Sequence, residues 1–203
     1  MKTILFLASL ILTLSTLPSQ AQEQKPSPGK VEIIRILAGS PTPVTDRRGI
    51  TWEAARGFSG GETVTRILPE LPEIYQSERY GDFSFSEPLQ NGKYRITLHF
   101  CESYHKSWVE ARGKRSFNVQ IENTITNIKD LSIAAEGFRK PLVKLFEVTV
   151  RDGKLDISFK ATPKNPADYD PGCLNAIEIE WLSKQTGLRQ PGAKMDQVEL
   201  YKD

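Results

Sequence analysis

The 203-residue sequence is poor in the residues that make reactive centres. It has two cysteines, Cys101 and Cys173, and two histidines, His99 and His105. Zinc sites draw on clustered Cys and His at short spacings. Here the cysteines lie far apart and no His cluster accompanies them, so neither a metal nor another cofactor is expected. An excess of one charge is missing too. Lys and Arg number 27 against 25 Asp and Glu, and the basic residues are dispersed among the acids. That leaves no electrostatic case for nucleic acid or an anionic membrane as a partner.

Long apolar runs are confined to the start. Ile4 to Leu14 is interrupted only by small residues and one Thr, and it falls short of the ~20 residues that cross a bilayer. With Lys2 ahead of it and Ser19-Gln20-Ala21 behind, residues 1–21 read as a signal peptide. No Cys follows the run, so no lipid anchor is expected. The mature chain is then secreted or periplasmic, with no membrane span. An oxidising compartment allows Cys101 and Cys173 to pair; the alternative is two buried thiols.

Helical periodicity is also lacking: no segment sustains three turns of it. Period-2 alternation takes its place. After Gln22 to Lys30, a Pro- and Gly-containing stretch read as a disordered linker, Val31 to Leu37 reads as a strand. Gly39 to Gly61 reads mostly as loop, with Ile50 to Trp52 extended, and residues 62–72 are ambiguous. Phe83 and Phe85 share one face. Tyr94, Ile96, Leu98 and Phe100 alternate with Arg95, Thr97 and His99. Phe117, Val119 and Ile121 form another run. Phe146, Val148 and Val150 lead into Leu155, Ile157 and Phe159. Ile177, Ile179 and Trp181 close the series within Leu174 to Leu182. Asn91-Gly92 and Asp152-Gly153 sit between such runs, where this dipeptide type signals a hairpin. The pattern predicts one all-β domain, an antiparallel, jelly-roll-like β-sandwich over residues 31–182. Residues 183–203 lose the alternation and read as a mobile tail.

Candidate functional residues cluster at the ends of these runs. Tyr80 and Tyr104 offer flat apolar rings with a polar edge, as sugar recognition requires; the other reading is that they close the end of the sandwich. Phe58, between Gly57 and Ser59-Gly60-Gly61, is a ligand platform or a loop plug. Asp168 and Asp170 precede Pro171-Gly172, where Asp also serves as a plain turn residue. Glu102 and Arg79 read as residues that support the site, Glu102 bridging Arg79 or Arg112. His99, on the face opposite Leu98 and Phe100, reads as a solvated or sheet-surface residue.

Several runs together resemble the malectin domain. They are Arg35-Ile36-Leu37-Ala38-Gly39, Gly49-Ile50-Thr51-Trp52, Tyr75-Gln76-Ser77-Glu78-Arg79-Tyr80-Gly81, Asn91 to Phe100, Arg115 to Val119, Val148 to Leu155 and Asn175 to Ile179. The resemblance implies a non-catalytic module that binds glucose-containing oligosaccharides in a cleft of loops. It also implies the ligand set Phe58, Tyr80, Tyr104, His105 and Asp170. The sequence departs from the family with Phe at 58, His at 105 and Cys101 between Phe100 and Glu102. If that cleft is kept, Cys101 and Cys173 flank it, and a disulfide would tie two site loops together. The expected partner is a glucan or gluco-oligosaccharide, alongside a secreted glycan-processing enzyme. The alternatives are a protein–protein adaptor and, with Glu102 facing Asp170, a glycoside-cleaving enzyme.

Overall fold

The structure is a computed structural model that describes residues 33–105, 107, 117–122, 124–126, 139–161 and 172–184. The chain divides into two units, Met1–Lys30 and Val31–Asp203, and every described residue belongs to the second. The proposed leader and linker, and the tail beyond Lys184, lie outside the described residues.

The strands are β1 (Ile33–Leu37), β2 (Val44–Thr45), β3 (Thr51–Trp52), β4 (Phe58–Thr65), β5 (Ser77–Pro88), β6 (Gly92–Phe100), β7 (Phe117–Ile121), β8 (Thr124–Thr126), β9 (Leu142–Val150), β10 (Lys154–Ala161), β11 (Cys173–Leu174) and β12 (Ala176–Lys184). A 3-10 turn, Glu73–Tyr75, precedes β5. The first sheet runs β1-β12-β6-β9. The second runs β11-β5-β10-β7-β8 with β4 also on β5, and all these pairings are antiparallel. β4 takes one edge of the long β5, while β11 and β10 share the other in tandem. The β2–β3 hairpin flanks β1 through a parallel bridge from Ile36 to Glu53.

Alternation along each strand assigns its residues to two separate clusters. Phe83, Phe85, Ile96, Leu98, Phe100, Phe117, Ile157, Phe159, Ile177 and Ile179 fill the space between the sheets. Phe83 and Phe159 stack there with centroids 4.4 Å apart. A smaller cluster of Leu37, Trp52, Leu71, Ile74, Tyr75, Cys101 and Ala176 lies on the opposite face of the first sheet.

Four expectations are corrected. Both Gly-containing turns join different sheets and are not hairpins: β5 lies in the second sheet and β6 in the first, β9 in the first and β10 in the second. Of these four turn residues only Gly153 has positive φ, +86°, whereas the type I′ turn that Asn-Gly and Asp-Gly favour needs positive φ at both central residues. The two corners instead bond to each other, Gly153 N–H donating to Asn91 Oδ1 at 2.9 Å and Leu89 N–H to the Gly153 carbonyl at 2.9 Å. Phe58-Ser59-Gly60-Gly61 is strand and not loop. Its glycines, at φ +76° and +65°, make a bulge where the register shifts between Gly60 and Glu62. The last strand runs from Ala176 to Lys184, two residues past the expected end, and Leu174 belongs instead to β11 in the second sheet.

The fourth correction concerns the disulfide. Cys101 and Cys173 are both buried thiols. Cys101 belongs to the smaller cluster and Cys173 to the core between the sheets, so the first sheet separates their side chains. Burial, with Glu78 adding to it, pushes the Cys101 thiol up to about 12, which makes it unreactive while folded. Titration with a thiol reagent in denaturant, without reductant, is expected to count two thiols per chain. A count of zero would restore the disulfide.

Candidate functional site

The aromatic residues gather at the end of the sandwich away from the two corners, where β6 runs out and β5 begins. The bulge in β4 shapes this end. A Cβ on Gly61 would lie 2.7 Å from the Tyr80 carbonyl, so the close approach requires glycine. The resulting register pairs Glu62 with Tyr80 and Val64 with Glu78. The Tyr80 hydroxyl donates to Glu62 Oε2 at 2.6 Å. That bond holds the phenol above its ordinary pKa, since losing the proton would leave two anions in contact.

Glu78, 1% exposed, anchors the other half of the site. Its Oε1 accepts from Arg66 Nη1 at 2.7 Å and its Oε2 from the Ser103 hydroxyl at 3.2 Å. Arg66 Nη1 also donates to Ser103 Oγ at 3.3 Å. Removing one partner of a buried ion pair strands the other's charge, so Arg66, Glu78 and Ser103 hold one another. The Arg66 guanidinium carbon sits 5.3 Å from the centroid of the Tyr104 ring, within cation–π range. Tyr104 is 58% exposed and meets His105 edge to face at 5.2 Å. Glu102, 1% exposed, turns the chain here: its Oε1 accepts the Tyr104 N–H at 2.9 Å and the His105 N–H at 3.3 Å.

Tyr80, Tyr104, His105 and Glu102 therefore share one end, whereas Phe58 and Arg79 lie elsewhere. Arg79 and Tyr80 are consecutive strand residues and point to opposite faces. Arg79 donates to the carbonyls of Ala38 at 3.2 Å and Gly60 at 2.7 Å, with its guanidinium 4.9 Å from the Phe58 ring centroid. It is not the partner of Glu102. Phe58 is half-buried against Phe85 and Phe83, at 4.9 and 6.3 Å, so it plugs the sandwich edge. Asp170 and Arg112 lie outside the described residues. Glu62, Arg66 and Ser103 were not among the sequence candidates. Glu78 was detectable in principle, because it is two residues from Tyr80 on the same strand face.

His99 is buried and not solvated. Its Nδ1 is 3.0 Å from the Tyr75 hydroxyl and its Nε2 3.0 Å from Glu178 Oε1, and its ring meets Trp52 edge to face at 5.4 Å. Arg35 Nε donates to Glu178 Oε2 at 2.9 Å. Burial opposes ionisation of Glu178, but His99 and Arg35 outweigh it, so this carboxyl titrates below its ordinary range. A lowered folded-state pKa gives stability that is complete above the ordinary carboxylate range and is lost as pH falls through the folded value. Denaturant midpoints are expected to hold from pH 7 to about 5 and to fall below about pH 4. Glu178→Gln is expected to flatten that fall; an unchanged slope would remove Glu178 from the account.

A groove of about 310 Å³ on the outer face of the second sheet is lined by Ser84, Ser86, Gln120, Glu122, Asp156 and Ser158 among others. None of the residues around Tyr104 contributes to it. No helix among the described residues is long and apolar enough to cross a membrane.

The profile of the malectin domain matches residues 32–177, and the chain belongs to that family. A probable LRR receptor-like serine/threonine-protein kinase of Arabidopsis thaliana is 30% identical over 120 residues, 53% of this chain and 12% of the relative. The chain thus spans about an eighth of that protein's length. Among solved structures, the plant peptide RALF23 in complex with FER and LLG2 aligns at TM-score 0.61 and 20% identity, covering 82% of this chain and 45% of that one. A Bacteroides uniformis beta-glucuronidase aligns at TM-score 0.60 and 18% identity, over 75% of this chain and 18% of the enzyme. At these identities the structural likeness establishes the fold alone.

Proposed function

We propose that this malectin-domain chain is a non-catalytic recognition module, exported from the cytoplasm, that binds a glucose-containing oligosaccharide at the Tyr104–Tyr80 end. The observation that carries the reading is an exposed Tyr ring, backed by a guanidinium, beside a second Tyr fixed by a carboxylate. Rings of this kind pack against the C–H faces of sugars, and charged groups bond their hydroxyls. His105 and Asp170 join them from the set the resemblance implies, without Phe58, which packs against Phe85. An open site that exchanges water hydrogen bonds one for one gains little net energy. Dissociation constants of micromolar to millimolar order follow, about −8 to −4 kcal/mol.

Hydrolysis fits the site poorly. A glycosidase needs two carboxyl groups presented to one bond. Glu102 is 1% exposed and its Oε1 is committed to two backbone amides. A glycan array read beside a hydrolysis assay on the same sugars tests both halves of the proposal. Binding without turnover is expected, and turnover of a bound glycan would overturn the non-catalytic reading.

A second reading, a protein–protein adaptor, draws more direct support from the relatives, which include receptor-like kinases and a complex of FER with a peptide as well as a beta-glucuronidase. One observation here favours it. Ile67, 73% exposed, directly follows Arg66 and stands with Tyr104 as an exposed large apolar residue. Aromatic and Arg residues are enriched at protein interfaces. Ile67→Ser separates the readings: unchanged glycan affinity is expected, whereas a protein partner seated on this patch would be weakened. A secreted glycan-processing enzyme is such a partner.

A further inference from the structure

We infer that Arg66 and Glu62 contact the ligand directly and make this surface select a pair of neighbouring free hydroxyls on a sugar ring. The inference rests on the saccharide reading above. Each residue uses only part of its hydrogen-bonding capacity within the protein. Among the described residues Arg66 donates its side chain through Nη1 alone, to Glu78 and Ser103, which leaves Nε and Nη2 as donors. Glu62 accepts the Tyr80 hydroxyl through Oε2, which leaves Oε1 as an acceptor. Glu62 pairs with Tyr80 and bonds its hydroxyl, and Arg66 bonds Glu78, two residues before Tyr80 on the same strand face, so the two groups lie along one face on either side of that pair.

A rigid donor edge beside a carboxylate oxygen complements two adjacent hydroxyls, one accepting from the guanidinium and the other donating to the carboxylate. Arg66 is held for this role. Its backbone N–H continues the β4–β5 ladder to the Gln76 carbonyl at 2.7 Å. Buried Glu78 spends both its oxygens inside the protein, on Arg66 and Ser103, so Glu78 is a positioning residue. A guanidinium serving only to neutralise Glu78 has no need to lie over the exposed Tyr104 ring, yet this one does.

The test is calorimetry of the full mature chain with maltotriose, cellotriose and laminaritriose, and with the 2,3-di-O-methyl derivative of whichever binds best. Glu62→Gln keeps an acceptor for Tyr80, and Arg66→Lys keeps a cation for Glu78, so both variants are expected to fold, with melting temperatures near wild type. Each is expected to weaken binding of the free sugar about tenfold. Each is also expected to narrow the wild-type preference for the free over the methylated sugar, which a purely structural role would not do. If Tyr104→Ala loses affinity while both variants bind and discriminate like wild type, the inference fails and the saccharide reading stands. If none of the three sugars binds the wild type, both fall.

Discussion

Tyr104→Ala is expected to lower affinity for a gluco-oligosaccharide by about 1–3 kcal/mol, the range for one stacked ring on an aromatic platform. That corresponds to roughly 5- to 150-fold, which takes a ligand near the millimolar end beyond ready detection. The fold should scarcely notice. The ring is 58% exposed and its contacts among the described residues are the Arg66 cation and the edge of His105, while the loop is turned by Glu102 through backbone amides that Ala retains. Tyr80→Ala is expected to lose binding too, with some loss of stability, because Tyr80 is half-buried and packs against the core. Calorimetry beside thermal melts reads both. Unchanged affinity with a lowered melting temperature for Tyr104→Ala would make the ring structural and move the site elsewhere.

Gly39→Ala is expected to be the most destabilising small substitution near the site. A Cβ there would lie 2.5 Å from both the backbone N and O of Glu78. The obstruction is backbone, so no rotamer change relieves it, and the end of β1 has to move away from β5. A loss of about 3 kcal/mol or more is expected, at or above the upper end of overpacking costs. For a domain of this size that lowers the melting temperature by roughly 6–12 °C. The displaced segment carries Glu78, so the Arg66 and Ser103 contacts should loosen and ligand affinity should fall with stability. A melt within 2 °C of wild type, using roughly the same conversion, would show that the two segments separate without cost.

The candidate site was legible in part. Tyr80 and Tyr104 stood out because aromatics beside carboxylates at strand ends are a local pattern. Glu62 did not, because its partnership with Tyr80 depends on a bulge built from two glycines that read as loop. Arg66 and Ser103 meet only through Glu78, across three segments. Phe58 was left open between a platform and a plug, because its glycine-flanked position fits either; the strand pairing turns its ring against Phe85.

The sequence by itself determined the alternating strands and their faces. Asp82 to Glu87, Tyr94 to Phe100, Phe117 to Ile121, Phe146 to Val150, Leu155 to Phe159 and Ile177 to Trp181 all lie within strands, because side chains alternate at period two whatever partner the strand takes. Pairing was left to the tertiary structure. Asn91-Gly92 and Asp152-Gly153 carry the local chemistry of hairpins, yet each joins two sheets. Closing a sandwich buries one apolar face of every flanking strand, which outweighs the preference of a two-residue turn. The same closure put Cys101 and Cys173 on different sides of the first sheet, Cys101 in the small outer cluster and Cys173 between the sheets. It also brought Arg66, Glu78 and Ser103 together beneath Tyr104. Contacts between residues so far apart in the chain have no local signature, because they exist only once the non-local strand pairing that creates them has formed.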